Sequence, residues 1–481
     1  MMPTTRRLIV IVPFVALLLI ACFVLVPPSP TGPGVPQALA GTHRPDIILI
    51  VSDDQPTGLV DNMPWVQQEL RDKGVQYVNA MVPTSLCCPS RASMLTGMYA
   101  HGTKVWDNGL TEQTPNVPGG HQAFVAAGDE SKTIALALDK AGYRTGLIGK
   151  YLNGYKTTHG TPPGWDVWLP FESGGAYYDY FFNGTHRGSL PEDYSTGVVA
   201  RNAVRVIERT SAAQPLFLYV APFAPHSPYT PAPLYEGRDV SQLIHEYDFG
   251  ALNEPNVSDK PGWVKSLDPL PEETVRRVAA KQHRAVKSVD DLVRDIIRAL
   301  TARKGNLHNT MIIFVSDNGY LWGEHRILGK DVPYASATEV PMFIRYGARL
   351  QSGIINSRLA LNIDLTATMA HASGVRRSMP WLEGESLLQP TQRHGFVLEG
   401  TFSNAHQPDF VERSPYCGWR TNDSLFVRYA TGFEEFYRYP LDPQERTNRI
   451  GESAWRNTIR SMRAKARKHC RPVPPGFHWA Q

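Results

Sequence analysis

The sequence predicts an α/β protein with a large, mixed and mostly parallel sheet flanked by helices, followed by a small antiparallel sheet with a helix. The first part is predicted because short apolar runs that end in polar residues recur through residues 41–393, separated by stretches with helical spacing. The second part is predicted because the segments after about Arg393 are aromatic-rich and alternate between apolar and polar residues. We therefore expect a main domain over residues 41–393 and a C-terminal subdomain over 394–481.

The composition is that of an ordinary globular protein. Of the 481 residues, 42% are hydrophobic and 20% are charged, and the net charge is only +4. These values exclude a disordered or collagen-like chain and give no basis for a nucleic acid as a partner. The 39 glycines and 39 prolines are spread along the chain, which predicts many loops on a regular scaffold, where chemistry tends to lie.

Residues 1–40 predict export. Arg6 and Arg7 precede an apolar run from Leu8 to Val26, and a linker rich in proline and glycine follows it. Three interpretations are open: a retained membrane anchor, a signal peptide cut after the small residues 38–40, or lipid attachment at Cys22. In each case the membrane is contacted only through this segment, and the rest of the protein is secreted, periplasmic or held at the cell surface.

The main domain begins with a strand from Asp46 to Val51, an apolar run typical of a strand buried on both faces. Acidic residues follow it directly, and ligand sites of parallel sheets lie at such carboxyl ends. Helices are expected from Ser131 to Ala141 and, by its amphipathic spacing, from Val275 to Leu300. The other predicted strands are Thr145 to Ile148, Leu216 to Val220, Met311 to Val315 and Pro341 to Ile344.

The C-terminal subdomain is predicted to contain strands at Gly395 to Glu399, Leu425 to Tyr429 and Phe433 to Tyr439, and a basic helix from Ser453 to His469. One face of that helix could contact a sulfated polyanion, although a solvated face is the commoner explanation of such a charge run. The residues of this face are Arg460, Arg463, Lys465, Arg467 and Lys468.

The segment from Cys87 to Gly97 carries the most specific motif of the chain. It reads Cys-Cys-Pro-Ser-Arg-Ala-Ser-Met-Leu-Thr-Gly. Two adjacent cysteines can scarcely bridge each other, so an ordinary disulfide does not explain the pair. Cys-x-Pro-Ser-Arg followed by Ala-Ser-x-Leu-Thr-Gly resembles the maturation signature of type I sulfatases, in which the first cysteine is oxidised to formylglycine.

This resemblance implies that Cys87 is the converted residue, that Arg91 supports the site and that a formylglycine-generating enzyme matures the protein. It also implies the alkaline-phosphatase-like sulfatase fold. The hydrated aldehyde of such enzymes carries two hydroxyls on one carbon. One attacks sulfur and expels the alcohol, and the other then loses its proton so that sulfate departs. This chemistry needs cations that neutralise the sulfate oxygens.

Two pairs of polar residues match the metal site of the family. Asp53 and Asp54 end the first strand, and Asp317 and Asn318 follow the strand that ends at Val315. Together they provide a hard, all-oxygen ligand set, which suits Ca²⁺, with Mg²⁺ as the alternative. The resemblance implies that an oxygen of the modified Cys87 completes this set.

Three basic residues match other active-site positions of the family. Lys150 and Lys330 match its two lysines, of which the second contacts sulfate. His226 lies in Ala-Pro-His-Ser-Pro and matches the histidine that contacts sulfate and can protonate the leaving oxygen. His325 is an alternative candidate for that role and for contact with the substrate. Asn108 is expected either to line the substrate pocket or to form a turn.

The resemblance covers the chain from Arg44 to Cys470 and is closest to the N-acetylglucosamine-6-sulfatase and extracellular glycan-sulfatase branch. It rests on residues 86–91, 149–153 and 224–228. It implies a sulfate ester on an amino sugar as substrate, with 6-O-sulfated N-acetylglucosamine first and an aryl sulfate as the alternative. Leu321 stands where that branch usually has a histidine.

Two further readings of the same motifs are open. The first is a phosphonate or phosphate ester hydrolase that uses the same formylglycine and metal ligands. The second is not an enzyme but an unmatured surface protein that binds sulfated glycans.

The five cysteines add one expectation: with Cys22 in the N-terminal segment and Cys87 and Cys88 in the sulfatase motif, Cys417 and Cys470 form the remaining pair. Export permits a disulfide between them.

Overall fold

The computed structural model describes residues 44–109, 116–246, 252–390, 392–401 and 414–479. Cys22 and the small residues 38–40 lie outside the described residues, so the three interpretations of the N-terminal segment stay predictions. Within the described ranges, no helix is both long enough and apolar enough to cross a bilayer.

Eight strands form one mixed sheet, and the shorter sheets lie beside it. The strands, numbered in chain order, are β1 (Asp46–Ser52), β2 (Val75–Met81), β3 (Arg144–Gly149), β4 (Val167–Pro170), β5 (Tyr180–Phe182), β6 (Thr185–Arg187), β7 (Leu216–Ala221), β8 (Thr310–Ser316), β9 (Leu321–Trp322), β10 (Leu328–Gly329), β11 (Met342–Arg345), β12 (Ile354–Leu361), β13 (Phe396–Gly400), β14 (Tyr416–Arg420), β15 (Ser424–Tyr429) and β16 (Glu434–Arg438). The order across the large sheet is β12-β2-β11-β8-β1-β7-β3-β4.

The centre of the large sheet is parallel, as predicted. β1 pairs in parallel with β7 on one side and with β8 on the other, and all three strands are fully buried. Their continuous Ile, Val and Leu runs suit a sheet covered on both faces. β11 runs antiparallel between β8 and β2, which makes the sheet mixed. The predicted fold class, a mixed and mostly parallel sheet with helices, is confirmed.

Helices cover both faces of this sheet. They are α1 (Pro64–Val66), α2 (Cys87–Thr96), α3 (Ala100–Thr103), α4 (Gly120–Ala126), α5 (Ile134–Asp139), α6 (Ser195–Glu208), α7 (Ser241–Glu246), α8 (Gly262–Lys265), α9 (Glu272–Lys304), α10 (Ala335–Thr338), α11 (Asn362–Ser373) and α12 (Arg456–His469). The long amphipathic helix predicted to end at Leu300 is α9, which packs along α6.

The helix expected from Ser131 to Ala141 differs from the prediction. A short 3₁₀ turn at Asp129–Lys132 comes first, and α5 starts only at Ile134. Thr133 separates the two, because its side chain accepts a hydrogen bond from the Leu136 N–H and so caps the start of α5.

The C-terminal sheet contains β13 to β16, all antiparallel, and α12 packs on it. This agrees with the predicted small antiparallel sheet and helix. Cys417 on β14 forms a disulfide with Cys470, the residue after α12, with 6.1 Å between their Cα atoms. The described residues from Arg44 onward cluster as one unit, and the division at residues 393 and 394 stays a prediction.

Candidate active site

Two pairs of polar residues meet at the carboxyl edge of the central strands. β1 and β8 run side by side in register, with Ser52 opposite Ser316, so the residues that follow them are neighbours. The Asp54 N–H donates to Asp317 Oδ1 at 3.1 Å, and Asn318 Nδ2 donates to Asp54 Oδ1 at 2.8 Å. The parallel register therefore brings together residues that are more than 260 positions apart.

Cys87 opens α2, and its side chain faces these acids. Its Sγ lies 3.6 Å from Asp53 Oδ1 and 3.8 Å from Asp54 Oδ1, and the residue is fully buried. Burial raises the pKa of the Cys87 thiol, although Lys150 and Lys330 oppose that shift. The N-terminal position in the helix adds backbone N–H groups and a favourable dipole for an anion at this point.

Cys88 faces the opposite way. Its side chain is part of the hydrophobic core between the sheet and α2, and burial raises its pKa to about 12. Its backbone N–H donates to Asn108 Oδ1 at 2.9 Å. Asn108 therefore lies at the start of α2, one residue from Cys87, and holds the backbone there.

Arg91 lies one turn further along α2 and joins three parts of the site. Its side chain is fully buried. Nε donates to Asp317 Oδ2 at 2.8 Å, Nη1 donates to the Lys150 carbonyl at 3.1 Å, and Nη2 lies 3.7 Å from Asp53 Oδ2. A buried guanidinium with these partners fixes the relative positions of the two acids and the lysine backbone.

Two lysines neutralise the acids. Lys150 follows β3, and its Nζ lies 2.5 Å from Asp53 Oδ2. Lys330 follows β10, contacts Asp54 Oδ1, and lies 2.7 Å from Cys87 Sγ. Burial alone would lower the pKa of each ammonium, but Asp53 beside Lys150 and Asp54 beside Lys330 raise both pKa values. Both lysines are therefore charged.

The carboxylates are charged as well. Burial alone would raise the pKa of Asp53 and of Asp54. Lys150 opposes that effect at Asp53, Lys330 opposes it at Asp54, and His226 adds to both, so the net pKa shift of each acid is downward.

The backbone of Gly149, at the end of β3 just before Lys150, lies close to the backbone of β7. Gly149 has φ +108°, and a Cβ at this position would lie 2.0 Å from the Ala221 carbonyl oxygen of β7. The Lys150 N–H donates to that same carbonyl at 2.8 Å. Only glycine permits this turn, which directs Lys150 across the end of the sheet.

His226 lies in the loop after β7 and is the most exposed of these groups, with 28% of its side chain open to solvent. Nδ1 lies 2.8 Å from the Ser227 carbonyl, which can only accept, so Nδ1 carries a proton. Nε2 lies 3.6 Å from Asp54 Oδ2. Burial lowers the pKa of His226, and the acids Asp54 and Asp53 only partly oppose this.

The donor set fits a divalent cation. One ligand atom each from Asp53, Asp54, Cys87 and His226 lies within 4.8 Å of the others. Next to them, the buried Asn318 Oδ1 has no hydrogen-bond partner among the described residues. Because most of these atoms are carboxylate or amide oxygens, the set suits a hard cation such as Ca²⁺ or Mg²⁺.

His325 is not brought to this cluster. Its Nδ1 lies 2.8 Å from Glu254 Oε2, its Nε2 lies 4.0 Å from Glu445 Oε2, and its ring packs on Tyr334 at 4.2 Å between centroids. Only 2% of the residue is exposed. Leu321, the residue in place of the expected histidine, is also fully buried, in the apolar core beside the C-terminal sheet.

The sequence did not predict three tyrosines that lie near His226. The Tyr177 hydroxyl donates to the His226 carbonyl at 2.7 Å, and the hydroxyls of Tyr229 and Tyr320 lie 2.6 Å apart. Tyr229 and Tyr320 lie within three residues of predicted site residues, and this proximity is a signal that could have found them. Tyr177 has no such signal, because its contact depends on the loop after β7.

Proteins similar to this chain include sulfatases. The sequence model of the family described as Sulfatase matches residues 45–375, and a model described as N-sulphoglucosamine sulphohydrolase, C-terminal, matches residues 323–471. The chain is 32% identical over 367 residues to the extracellular sulfatase SULF-1 homolog of Drosophila melanogaster, covering 73% of this chain and 31% of that protein. It is 30% identical over 375 residues to the N-acetylglucosamine-6-sulfatase of Homo sapiens, covering 74% and 66%.

A solved structure of a protein in complex with its substrate D-glucosamine-2-N,6-O-disulfate has the same fold, with a TM-score of 0.71 and 21% identity. The similarity covers 90% of this chain and 99% of that one. In contrast, the chain spans only about one third to two thirds of the length of the two curated relatives.

Proposed function

Because this chain belongs to the sulfatase family and has the alkaline-phosphatase-like fold expected from its sequence, we propose that it is a sulfuric ester hydrolase that uses a formylglycine derived from Cys87. The observation that carries the proposal is the position of Cys87 Sγ at the start of α2, within 4 Å of two carboxylates and one lysine. Cys88, with its side chain in the hydrophobic core, has no such surroundings.

The proposed metal ligands are Asp53, Asp54, Asp317, Asn318 and the modified Cys87. Asp53, Asp54 and Cys87 are supported by their common cluster, which also includes His226, and Asn318 by its unpartnered Oδ1 beside it. Asp317 lies next to them through its hydrogen bonds with the Asp54 N–H and Arg91. When bound, Ca²⁺, or Mg²⁺ as the alternative, neutralises sulfate oxygens and polarises the nucleophile. The formylglycine supplies a nucleophilic hydroxyl and a way to release sulfate.

Lys150 and Lys330 bind the sulfate group of the substrate. Both are charged, both are buried, and Lys330 lies against the Cys87 side chain that attacks sulfur. Arg91 is a positioning residue, since its hydrogen bonds hold Asp317 and the Lys150 backbone and its side chain is fully buried.

His226 donates the proton that the leaving alcohol needs. Its Nδ1 proton stays hydrogen-bonded to the Ser227 carbonyl, so the proton for the bridging oxygen comes from Nε2 of the imidazolium. Burial disfavours this charged form, and the nearby Asp54 and Asp53 favour it. Its partial exposure agrees with a position at the entrance, where the leaving group departs. His325, which is buried against Glu254, is a poorer candidate for this step.

The proposed substrate is a sulfate ester on an amino sugar, with 6-O-sulfated N-acetylglucosamine first and an aryl sulfate as a poorer alternative. This rests on the similarity to the human N-acetylglucosamine-6-sulfatase and on residues 86–91, 149–153 and 224–228, whose motifs resemble that branch. Export is part of the proposal, supported by the apolar N-terminal segment and by the disulfide between Cys417 and Cys470. A formylglycine-generating enzyme is then the required partner.

One experiment tests the reaction class. The matured protein is assayed with the sulfate ester and the phosphate ester of the same leaving alcohol, and then with a set of sulfated monosaccharides. Cys87→Ala serves as the control. We expect the sulfate ester to be cleaved with the higher kcat/KM, and only by protein that contains the aldehyde. A preference for the phosphate ester, or equal activity of Cys87→Ala, would refute the proposal.

A further inference from the structure

The helix α12 concentrates positive charge in a chain that is otherwise nearly neutral. It carries six basic residues and no acidic residue over Arg456–His469, so it alone exceeds the net charge of +4 of the whole chain. These basic residues are Arg456, Arg460, Arg463, Lys465, Arg467 and Lys468.

The packing of α12 leaves four of its arginines along one side. Its apolar residues Ile459, Met462 and Ala466 are buried against Trp419, Phe426 and Phe436 of the C-terminal sheet. The arginines at 456, 460, 463 and 467 follow the spacing i, i+4, i+7 and i+11, so they form a line parallel to the helix axis. With a rise of 1.5 Å per residue, this line is about 16 Å long. We call these four residues the arginine stripe.

Acidic partners account for little of this charge. Within the arginine stripe, Arg463 forms an ion pair with Glu434. Among the described residues, no carboxylate lies within ion-pair distance of the other three, and all three are exposed. Arg471, just beyond the end of α12, is also exposed and extends the same side, since its Nε donates to the Arg467 carbonyl at 3.0 Å.

Folding does not explain the charges either. Like charges four residues apart destabilise a helix, and the arginine stripe contains two such pairs, 456 with 460 and 463 with 467. The helix dipole favours cations near the C-terminus, which explains Arg467. It disfavours Arg456, which is the first residue of the helix, and it does not explain Arg460.

We propose that the arginine stripe binds a sulfated polysaccharide chain at a site separate from Cys87. The proposal rests on the proposed function, because the same polymer would present sulfate esters to the active site. A guanidinium can pair with an oxyanion through two parallel hydrogen bonds. Arg456 and Arg460 are one helical turn apart and Arg467 lies two turns further along, a spacing that suits a ligand with repeated anionic groups.

The surroundings favour a sulfated glycan over a membrane or a nucleic acid. An interfacial helix needs large apolar side chains beside its cations. The exposed side of α12 instead carries Asn457, Ser461 and Ala464. Stacking of bases needs exposed aromatic rings in the binding face, and this side of the helix has none.

Binding of a heparin fragment, measured by fluorescence anisotropy at several salt concentrations, tests the proposal. The full-length matured protein is compared with the triple variant R456E/R460E/R467E. The control is K140E/R209E/K281E, which changes the net charge equally at three exposed positions elsewhere. We expect the stripe variant to bind at least about 10-fold more weakly with a shallower salt dependence, and the control variant to bind within about twofold of the parent.

Equal losses in both triple variants would overturn the proposal, because binding would then follow net charge alone. Stronger stripe-dependent binding of a DNA duplex or of anionic vesicles than of heparin would also overturn it. Hydrolysis of a small aryl sulfate should be unchanged in the stripe variant, which shows that the fold is intact; if it is not, R456Q/R460Q/R467Q replaces it. Heparin binding by Cys87→Ala separates this proposal from the catalytic one, since it should persist without activity.

Discussion

Two buried clusters of charged residues differ in how completely their polar atoms are hydrogen-bonded. Around Cys87, buried carboxylates meet lysines and an arginine, and two polar atoms, Asn318 Oδ1 and Arg91 Nη2, have no hydrogen-bond partner among the described residues. The second cluster contains Glu254, Glu435 and Glu445 beside His325. We call this the C-terminal acid cluster.

Every carboxylate oxygen of the C-terminal acid cluster has a partner. Glu435 accepts from the hydroxyls of Tyr429 and Tyr437 at 2.5 and 2.6 Å, Glu445 from that of Tyr439 at 2.9 Å and from a backbone N–H, and Glu254 contacts Lys260 and His325. Burial raises the pKa of Glu435 and of Glu445 despite these partners. Buried acidic side chains are therefore common to both clusters, and the unpartnered polar atoms distinguish the cluster around Cys87.

The strongest test compares the two adjacent cysteines. Cys87→Ala should reduce sulfatase activity to background, because the only proposed nucleophile is lost. Cys88→Ala should retain most activity and lower the free energy of unfolding by about 1 kcal/mol, because it removes a buried sulfur from the core. Peptide mass spectrometry should locate the aldehyde at residue 87. An aldehyde at residue 88 would contradict the assignment.

Metal dependence should separate the two clusters. Asp317→Ala should lower kcat by about 100-fold or more and reduce bound Ca²⁺ in elemental analysis, since it removes a proposed ligand and the carboxylate that accepts from Arg91 Nε. The matched variant is Glu435→Gln, which also changes a buried carboxylate. It should keep its metal content and show only reduced stability. Full activity after exhaustive chelation would argue against the metal site.

A smaller effect is expected at the entrance of the site. His226→Ala should slow hydrolysis of a 6-O-sulfated amino sugar by about 100-fold, because a sugar alkoxide is a poor leaving group. On a nitrophenyl sulfate the loss should be less than about 10-fold, since that leaving group needs no proton. His325→Ala is the control from the C-terminal acid cluster, and it should change both rates equally. An equal loss on both substrates in His226→Ala would remove its role as acid.

The smallest effect concerns pH. Burial lowers the pKa of His101, but Glu399 and Glu383 outweigh it and raise the pKa to about 10. Its value in the unfolded chain is about 6.5. The folded state therefore binds this proton more tightly, so its stabilising contribution is complete below about pH 6.5 and is lost as pH rises toward 10. The midpoint temperature of thermal unfolding should fall as the pH rises through this window, and it should fall less in His101→Gln. Identical pH profiles of the two proteins would contradict the interaction of His101 with Glu399 and Glu383.

Sequence alone predicts the parts of the fold that are locally uniform. β1, β7 and β8 are continuous apolar runs, and α9 has a long amphipathic repeat. Each of these patterns lies within one segment of the chain, so it can be recognised without knowing which segments pair in the fold. β2 and β12 were not predicted, because polar residues interrupt both and their pairing joins segments almost 280 residues apart. The predicted site residues were recognisable because they end strands or belong to a motif.

The rest of the site could not be predicted for a physical reason. The hydrogen bond from Tyr177 to the His226 carbonyl and the support of Cys88 by Asn108 depend on how loops pack after the sheet has formed. The contact of His325 with Glu254 has the same origin, and it holds away from the Cys87 cluster a histidine that the sequence offered as a candidate. Sequence patterns identify the residue types at strand ends but not their partners.

The complete burial of Cys87 has a consequence for biogenesis. The Cys87 side chain, at the first residue of α2, has no exposed surface that a separate enzyme could reach, so we expect the proposed oxidation to precede folding. A chain that folds with an unmodified thiol would then be committed to an inactive form. Folded, unmodified protein should stay inactive when the maturing enzyme is added, whereas the same protein released from denaturant in its presence should gain activity. Conversion of the folded protein would contradict this order of events.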